Sequence, residues 1–330
     1  MSESSKWKSK LLSSSAPMEY EVSKLLVNKG FSIHADYSYT RFDAKTAADF
    51  SVDLHASIYV PFRRANEIKA SLELLVECKY RQRGNKWLFF SDPNQDEMSP
   101  FTLGHTLRVV DDFSPILLKS DYSTAFDKKS TFCLKGVEVD VGSGNVHDAE
   151  IRHGLSQLQY ALPRLVTQYI EWNLGMLPEE NVPFFFCPIL LTTSEILVAA
   201  DGLTMNDVEH ADTLADFASP VPYVVVYADE TPEFQRHRAQ ACASLLESVK
   251  DDGAMLIEYL REQAGVPRVH LPTSECRRLA INSGEKLTKY FSQIIVCSLA
   301  NFESLLEDIK KAVSRTMRSK KVLELPKWES

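Results

Sequence analysis

The sequence predicts an α/β protein with a mixed central sheet flanked by helices. Short stretches alternate apolar and polar residues with the period of two that marks strands, as in Ser71–Tyr80 and Phe50–Tyr59. Longer stretches, such as Met18–Lys29 and Phe302–Met317, repeat their apolar residues at helical spacing. No internal repeat or low-complexity linker interrupts the 330 residues, which points to one extended domain with a sizeable core.

Composition narrows the classes. Hydrophobic residues make up 44% and charged residues 25%, an ordinary water-soluble balance. The net charge of −8 excludes a global basic field, so any binding to nucleic acid must come from local patches. The six cysteines (78, 133, 187, 242, 276 and 297) are scattered without a C-x-x-C pair. They read as buried thiols in a reducing compartment, not as a disulfide scaffold or a zinc site. The N-terminal residues lack the apolar segment of a secretory signal. The longest apolar run, Val182–Ala200, is broken by Pro183, Pro188 and the polar Thr192–Glu195. The expectation is a cytoplasmic protein with no membrane span.

Taken in order, residues 1–16 are Ser- and Lys-rich and are expected to form a mobile tail. Pro17 opens a helix whose stripe is Val22, Leu25 and Leu26, and Gly30 stops it. Glu21 borders that stripe; on its own it also fits a first-turn acid favoured by the helix dipole. Phe31–Tyr39 reads as a strand and 40–48 as a polar turn. In the next strand Phe50, Val52, Leu54, Ala56 and Ile58 are expected on one face, with Ser51, Asp53, His55 and Ser57 on the other. Asp49 precedes that strand and is the weaker candidate acid. In the strand 71–80, Leu72, Leu74, Val76 and Cys78 point one way, and Glu73, Leu75, Glu77 and Lys79 the other. If the polar faces align, Asp53, Glu77 and Lys79 converge. Two carboxylates and a lysine suit holding a divalent cation and a water against a phosphodiester.

Asp53 followed by Glu77-Cys78-Lys79 resembles the D…(D/E)-x-K signature of the PD-(D/E)XK nuclease superfamily. The helix Tyr20–Phe31 is similar to the opening (Y/F)E…LL…G(F/Y) helix of its Mrr and Holliday-junction-resolvase-like branch. The likeness covers 17–81 and implies a restriction-endonuclease-like core. It further implies a Mg²⁺ (or Mn²⁺) ion held by Asp53, Glu77 and the backbone carbonyl of Cys78. Glu21 would hold a second cation or a water, and Lys79 would orient or deprotonate the attacking water. DNA is the expected substrate; RNA is not separable at this stage, and a homodimer is among the expected assemblies. The alternative is the same fold retained as a non-catalytic nucleic-acid or protein binding module.

Compact members of that superfamily place a helix soon after the E-x-K strand; here it falls at 147–174. The expected division is therefore a core of 17–81 and 147–230, an insertion at 82–146 and a C-terminal α/β extension at 231–330. Just past the E-x-K strand, Arg81, Arg83, Lys86 and Trp87 suit phosphate contact and base stacking, or a charged turn whose Trp87 packs into the core. The helix 147–174 carries Ile151, Leu155, Leu158, Leu162, Leu165 and Val166, with Pro163 as a kink or break. Gln157 is a further nucleic-acid contact candidate, by likeness to the glutamine-bearing helix of some branches, although the Q-x-x-x-Y spacing is not met. His147 and His153 are six apart on different helix faces and do not suggest a zinc site. Beyond lie strands at 132–140, 183–200 (one long or two short), 222–227 and 292–299, and helices at 232–249, 253–263 and 302–317. Gln157, Arg81 and their neighbours complete the candidate set.

Overall fold

The computed structural model describes residues 3–42, 47–62, 68–93, 106–111, 114, 116–118, 130–175, 181–248, 291–318 and 321–322. Alternating segments form strands β1 (Ser32–Phe42), β2 (Ala47–Val60), β3 (Ala70–Lys79), β4 (Asn85–Ser91), β5 (Arg108–Val110), β6 (Ile116–Leu117), β7 (Thr131–Asp140) and β8 (Val146–His147). They continue with β9 (Phe184–Thr192), β10 (Glu195–Ala199), β11 (Ala218–Val221), β12 (Tyr223–Tyr227), β13 (Gln293–Ser298) and β14 (Lys321–Val322). Helical spacing yields α1 (Glu3–Ser13), α2 (Ala16–Asn28), α3 (Ala149–Gly175), α4 (Met205–His210), α5 (Pro232–Ser248) and α6 (Phe302–Arg318). The result is an α/β protein with a large mixed sheet of twelve strands and six α-helices among the described residues.

The main path through the sheet is β1-β2-β3-β9-β13-β12-β7-β4-β10-β11, with β5 beside β9 and β8 beside β7. β1, β2 and β3 form an antiparallel meander, and β3 then runs parallel to β9, from Ser71↔Phe184 to Lys79↔Thr192. Helices cover both faces. On one side α2 and α6 pack through Met18, Val22, Leu26, Leu305, Leu306, Ile309 and Val313 onto Leu54, Leu72, Leu74, Val76 and Cys78. On the other, α3 and α5 pack through Leu158, Leu162, Leu165, Ile170, Phe234 and Leu245 against Leu75, Phe186 and Leu190. A strand roofed on both faces has no solvated side, and β3 is buried from Ala70 to Cys78.

Several expectations are corrected. The stretch expected as a tail is helical over Glu3–Ser13; it contains no proline or glycine, and Glu3/Lys6 and Trp7/Leu11 stand at helical pair spacings. The stretch 82–146 is no external insertion, because it supplies β4 and β7 to the main sheet. Nor is the C-terminal third peripheral, since β13 lies inside the sheet between β9 and β12. Pro163 neither ends nor divides α3. One backbone bond is lost there, but Leu158, Leu162, Leu165 and Val166 are buried and hold the turns on either side. Of the two arrangements expected for 183–200, one long strand or two short, the structure shows two, with β10 turning away to pair with β4. The helix expected at 253–263 lies outside the described residues, as does Cys276. The five described cysteines are buried. No described helix is long and apolar enough to cross a membrane.

The place of β13 is testable. Ile295 is fully buried and faces Val225 on β12 and Ile189 on β9. Ile295→Ala should destabilise the protein by about 2–5 kcal/mol in urea denaturation, the usual range for such a truncation in a packed core. A loss within the scatter of surface substitutions would mean that the C-terminal strand is dispensable.

Candidate active site

The site is built where the β2–β3 ladder ends. Backbone pairing runs from Val60↔Ala70 to Leu54↔Val76. The next donor, the Cys78 N–H, is satisfied by a side chain: Asp53 Oδ2 accepts it at 2.6 Å. The Asp53 N–H points to Glu77 Oε2 at 3.4 Å. On the other flank of β2 the pairing steps from Ala35↔Leu54 to Tyr37↔Val52, and between them Asp36 takes a left-handed φ of 53°. The register is unbroken there, so the departure from extended backbone is local to Asp36, opposite Asp53. Leu54 and Ala56 face α2 and α6, whereas Val52 joins the α3 side and Phe50 stacks near Tyr39. The single apolar face expected for Phe50–Ile58 is therefore split at Asp53.

Lys79 completes the group. Its Nζ lies 2.7 Å from Glu77 Oε1 and donates to Gln157 Oε1 at 3.0 Å, while Gln157 Nε2 donates to the Ser51 carbonyl at 3.2 Å. Gln157 thus ties α3, β2 and β3 together at the lysine. Gly154 explains the close approach of α3: a Cβ there would stand 2.5 Å from Leu190 Cδ1 on β9. Gly154 lies one turn before Gln157, and His153 beside it also feels the Lys79 charge.

The helix acid differs from the one expected. With about 100° per residue, Glu19 lies about 60° from the mean direction of the buried Met18, Val22 and Leu26, and Glu21 about 100°. Glu21 is exposed, and it is Glu19, half-buried, that shares the field of Asp53, Asp36 and Lys79. The structure thus brings Glu19 towards the Asp53 group and leaves Glu21 exposed, a difference that the direction of the apolar stripe already favours.

The electrostatics follow from crowding acids in a poorly solvated strand end. Burial, then the Asp53 charge, pushes Glu77 up to about 7 against the opposing pull of Lys79. Burial, then Asp53 and Asp36, raises Glu19 to about 6. Asp53 is raised by burial, with the Cys78 N–H and Lys79 acting the other way. Burial pushes the Cys78 thiol well above its usual range, and its side chain packs into the α2/α6 cluster. It is a core group, not a nucleophile.

The basic stretch after β3 is mostly structural. Glu138 on β7, fully buried, accepts from Arg81 Nη2 at 2.7 Å, Arg81 Nε at 3.0 Å, Asn85 Nδ2 at 2.6 Å and Trp87 Nε1 at 3.0 Å. A desolvated carboxylate requires such donors. Trp87 is completely buried and so is not presented for stacking; Lys86 is partly exposed and pairs with Glu195 at 2.7 Å, and Arg83 is exposed. A more promising basic patch is α1, whose Lys6, Lys8, Lys10 and Trp7 are exposed. The α1–α2 joint is held at the end of β3 by the Tyr80 N–H, which donates to Ser15 Oγ at 3.1 Å.

The donors suit a hard cation: the Asp53 and Glu77 carboxylates, with Glu19 beyond, and the Cys78 carbonyl, which leaves the strand on the same side as its N–H. Among the described residues no three His, Cys, Asp or Glu side chains are gathered closely enough to hold a metal alone, so the carbonyl and water would have to complete the set. His147 lies 3.8 Å from Glu138 and belongs to no such group. No protein-family model matches the chain, and searches of curated proteins and of solved structures likewise give no match.

Glu77 sets a pH dependence. Its folded value, about 7, lies above its ordinary 4.5. Its contribution to stability is therefore full below about 4.5 and lost as the pH rises through about 7. Glu77→Gln should flatten the stability profile between pH 5 and 8 and be the more stable protein at pH 8. Equal stability at pH 8 would contradict a desolvated Glu77.

Proposed function

We propose that the protein is a metal-dependent nuclease of the PD-(D/E)XK type, hydrolysing phosphodiester bonds in DNA. The observation that carries this is the grouping of Asp53, Glu77 and Lys79 at one strand end, linked directly and through the Cys78 N–H, with both carboxylates raised by burial. The order α2, the β1–β2–β3 meander, α3 and β9, with β9 parallel to β3, is the arrangement a restriction-endonuclease-like core would have.

Asp53, Glu77 and the Cys78 carbonyl would hold Mg²⁺ or Mn²⁺, with Glu19 taking the part expected of Glu21. A bound divalent cation supplies Lewis acidity and a lower pKa for a nearby water. Lys79, held by Glu77 and Gln157, would orient the attacking water and offset charge on the phosphate oxygens. Water adds to phosphorus and the ester bond breaks, leaving a 5′-phosphate by family likeness. Lys6, Lys8 and Lys10 give the local positive charge that a net −8 does not, and Trp7 offers a surface for an unpaired base.

The test is cleavage of labelled duplex, branched and single-stranded DNA, and of RNA, with Mg²⁺, Mn²⁺ or chelator. Metal-dependent DNA cleavage is expected; cleavage of RNA alone would change the substrate. Lys79→Ala should keep the fold and lower the rate at least about a hundredfold. Glu19→Gln should lower it markedly, while Glu21→Gln stays near wild type. Chelator-resistant cleavage, or no cleavage of any substrate together with a melting temperature indifferent to either metal, would overturn the proposal.

A further inference from the structure

α3 lies along β3 with Gln157 near Lys79 at one end and Tyr169, Trp172 and Asn173 over Ser71 and Glu73 at the other. At that second end is a cavity of about 390 Å³, within the size range of small-molecule sites. Its floor holds an acid. Glu73 is only 1% exposed, and its Oε2 lies 2.9 Å from His55 Nε2; the Tyr169 hydroxyl shares the same carboxylate. Beside it the Ser71 hydroxyl, in a residue 4% exposed, has no hydrogen-bond partner. Such a group is costly to bury unless something meets it. Tyr169 and Phe184 form the walls, while Tyr59 and Trp172 stand at the mouth 56% and 59% exposed. No lysine or arginine is among the described residues that line the cavity.

We propose that this cavity binds a small organic cation, a quaternary ammonium or guanidinium group, seated between the Tyr59 and Trp172 rings over the Glu73 carboxylate. Ring faces attract a cation through their quadrupoles, and more strongly once it is desolvated. A buried carboxylate supplies the opposite charge, and a ligand bearing a hydroxyl or N–H would satisfy Ser71. This accounts for the two exposed aromatics at the mouth and for the unpartnered Ser71 hydroxyl beside an acid that His55 and Tyr169 already hold in place. The cavity is separate from the Asp53 group, at the opposite end of α3, and does not depend on the nuclease reading.

The test is calorimetric titration of the full chain with choline, methylguanidinium and the neutral choline isostere 3,3-dimethylbutan-1-ol. At least one cation should bind saturably and at least about tenfold more tightly than the neutral compound. Which cation binds identifies the head group. Trp172→Ala, a change at the exposed mouth, should weaken binding about tenfold, and Glu73→Gln should abolish the preference for charge. Asp53→Asn should leave binding unchanged. Should Glu73→Gln fail to fold, Trp172→Ala alone decides. No saturable binding of either cation, equal binding of the neutral isostere, or full binding by Trp172→Ala would overturn the proposal.

Discussion

The hydrogen bond from the Cys78 N–H to the Asp53 carboxylate is the interaction on which the site depends. It replaces a backbone bond at the point where the β2–β3 ladder stops, and so fixes an acid against the end of a buried strand. Glu77 is then held beside it, and two carboxylates share a space with little water. Lys79 offsets part of that repulsion, but Glu77 is still raised to about 7. Natural proteins tolerate such local instability chiefly where function uses it.

The covered sheet makes that arrangement rigid. Because helices roof both faces, polar residues on the α3 side of β3 must find partners inside the protein. Glu73 finds His55, Glu77 finds Lys79, and Glu138 on β7 gathers Arg81, Asn85 and Trp87. The Glu73 and Glu138 pairings join separate elements, β2 to β3 and β7 to β4 and the turn before it, while Glu77 and Lys79 pair within β3. Gln157 extends this to the site, linking Lys79 to the Ser51 carbonyl.

Much of this was legible in the sequence where one local period governs the outcome. The alternation of 71–80 separates Leu74 and Val76 from Glu73 and Glu77, and the two sets do face opposite helix layers. The same alternation singles out Asp53, Glu77 and Lys79, which lie together in space. What was not legible depends on distant partners. The change of facing in β2 at Asp53 lies opposite the left-handed Asp36 on a neighbouring strand. Trp87 and Arg81 resemble a nucleic-acid patch until the buried Glu138, about 50 residues on, claims them. The inner place of β13 is a matter of sheet order, which no local pattern encodes. Glu19 against Glu21 is the intermediate case: the information was present in the helix angle, since Val22, Leu25 and Leu26 already point nearer to Glu19.

The central claim is that Asp53 and Glu77 form a desolvated acidic pair suited to a divalent cation, and proton counting tests it most directly. Titrating Mn²⁺ into the protein in buffers of different ionisation enthalpy reports the protons released on binding. At a pH of about 6.5, Glu77 is largely protonated, so binding should release a proton, and the release should fade at a pH of about 8.5. Glu77→Gln should remove it. Binding without proton release at the lower pH, or no Mn²⁺ binding at either pH, would contradict the account.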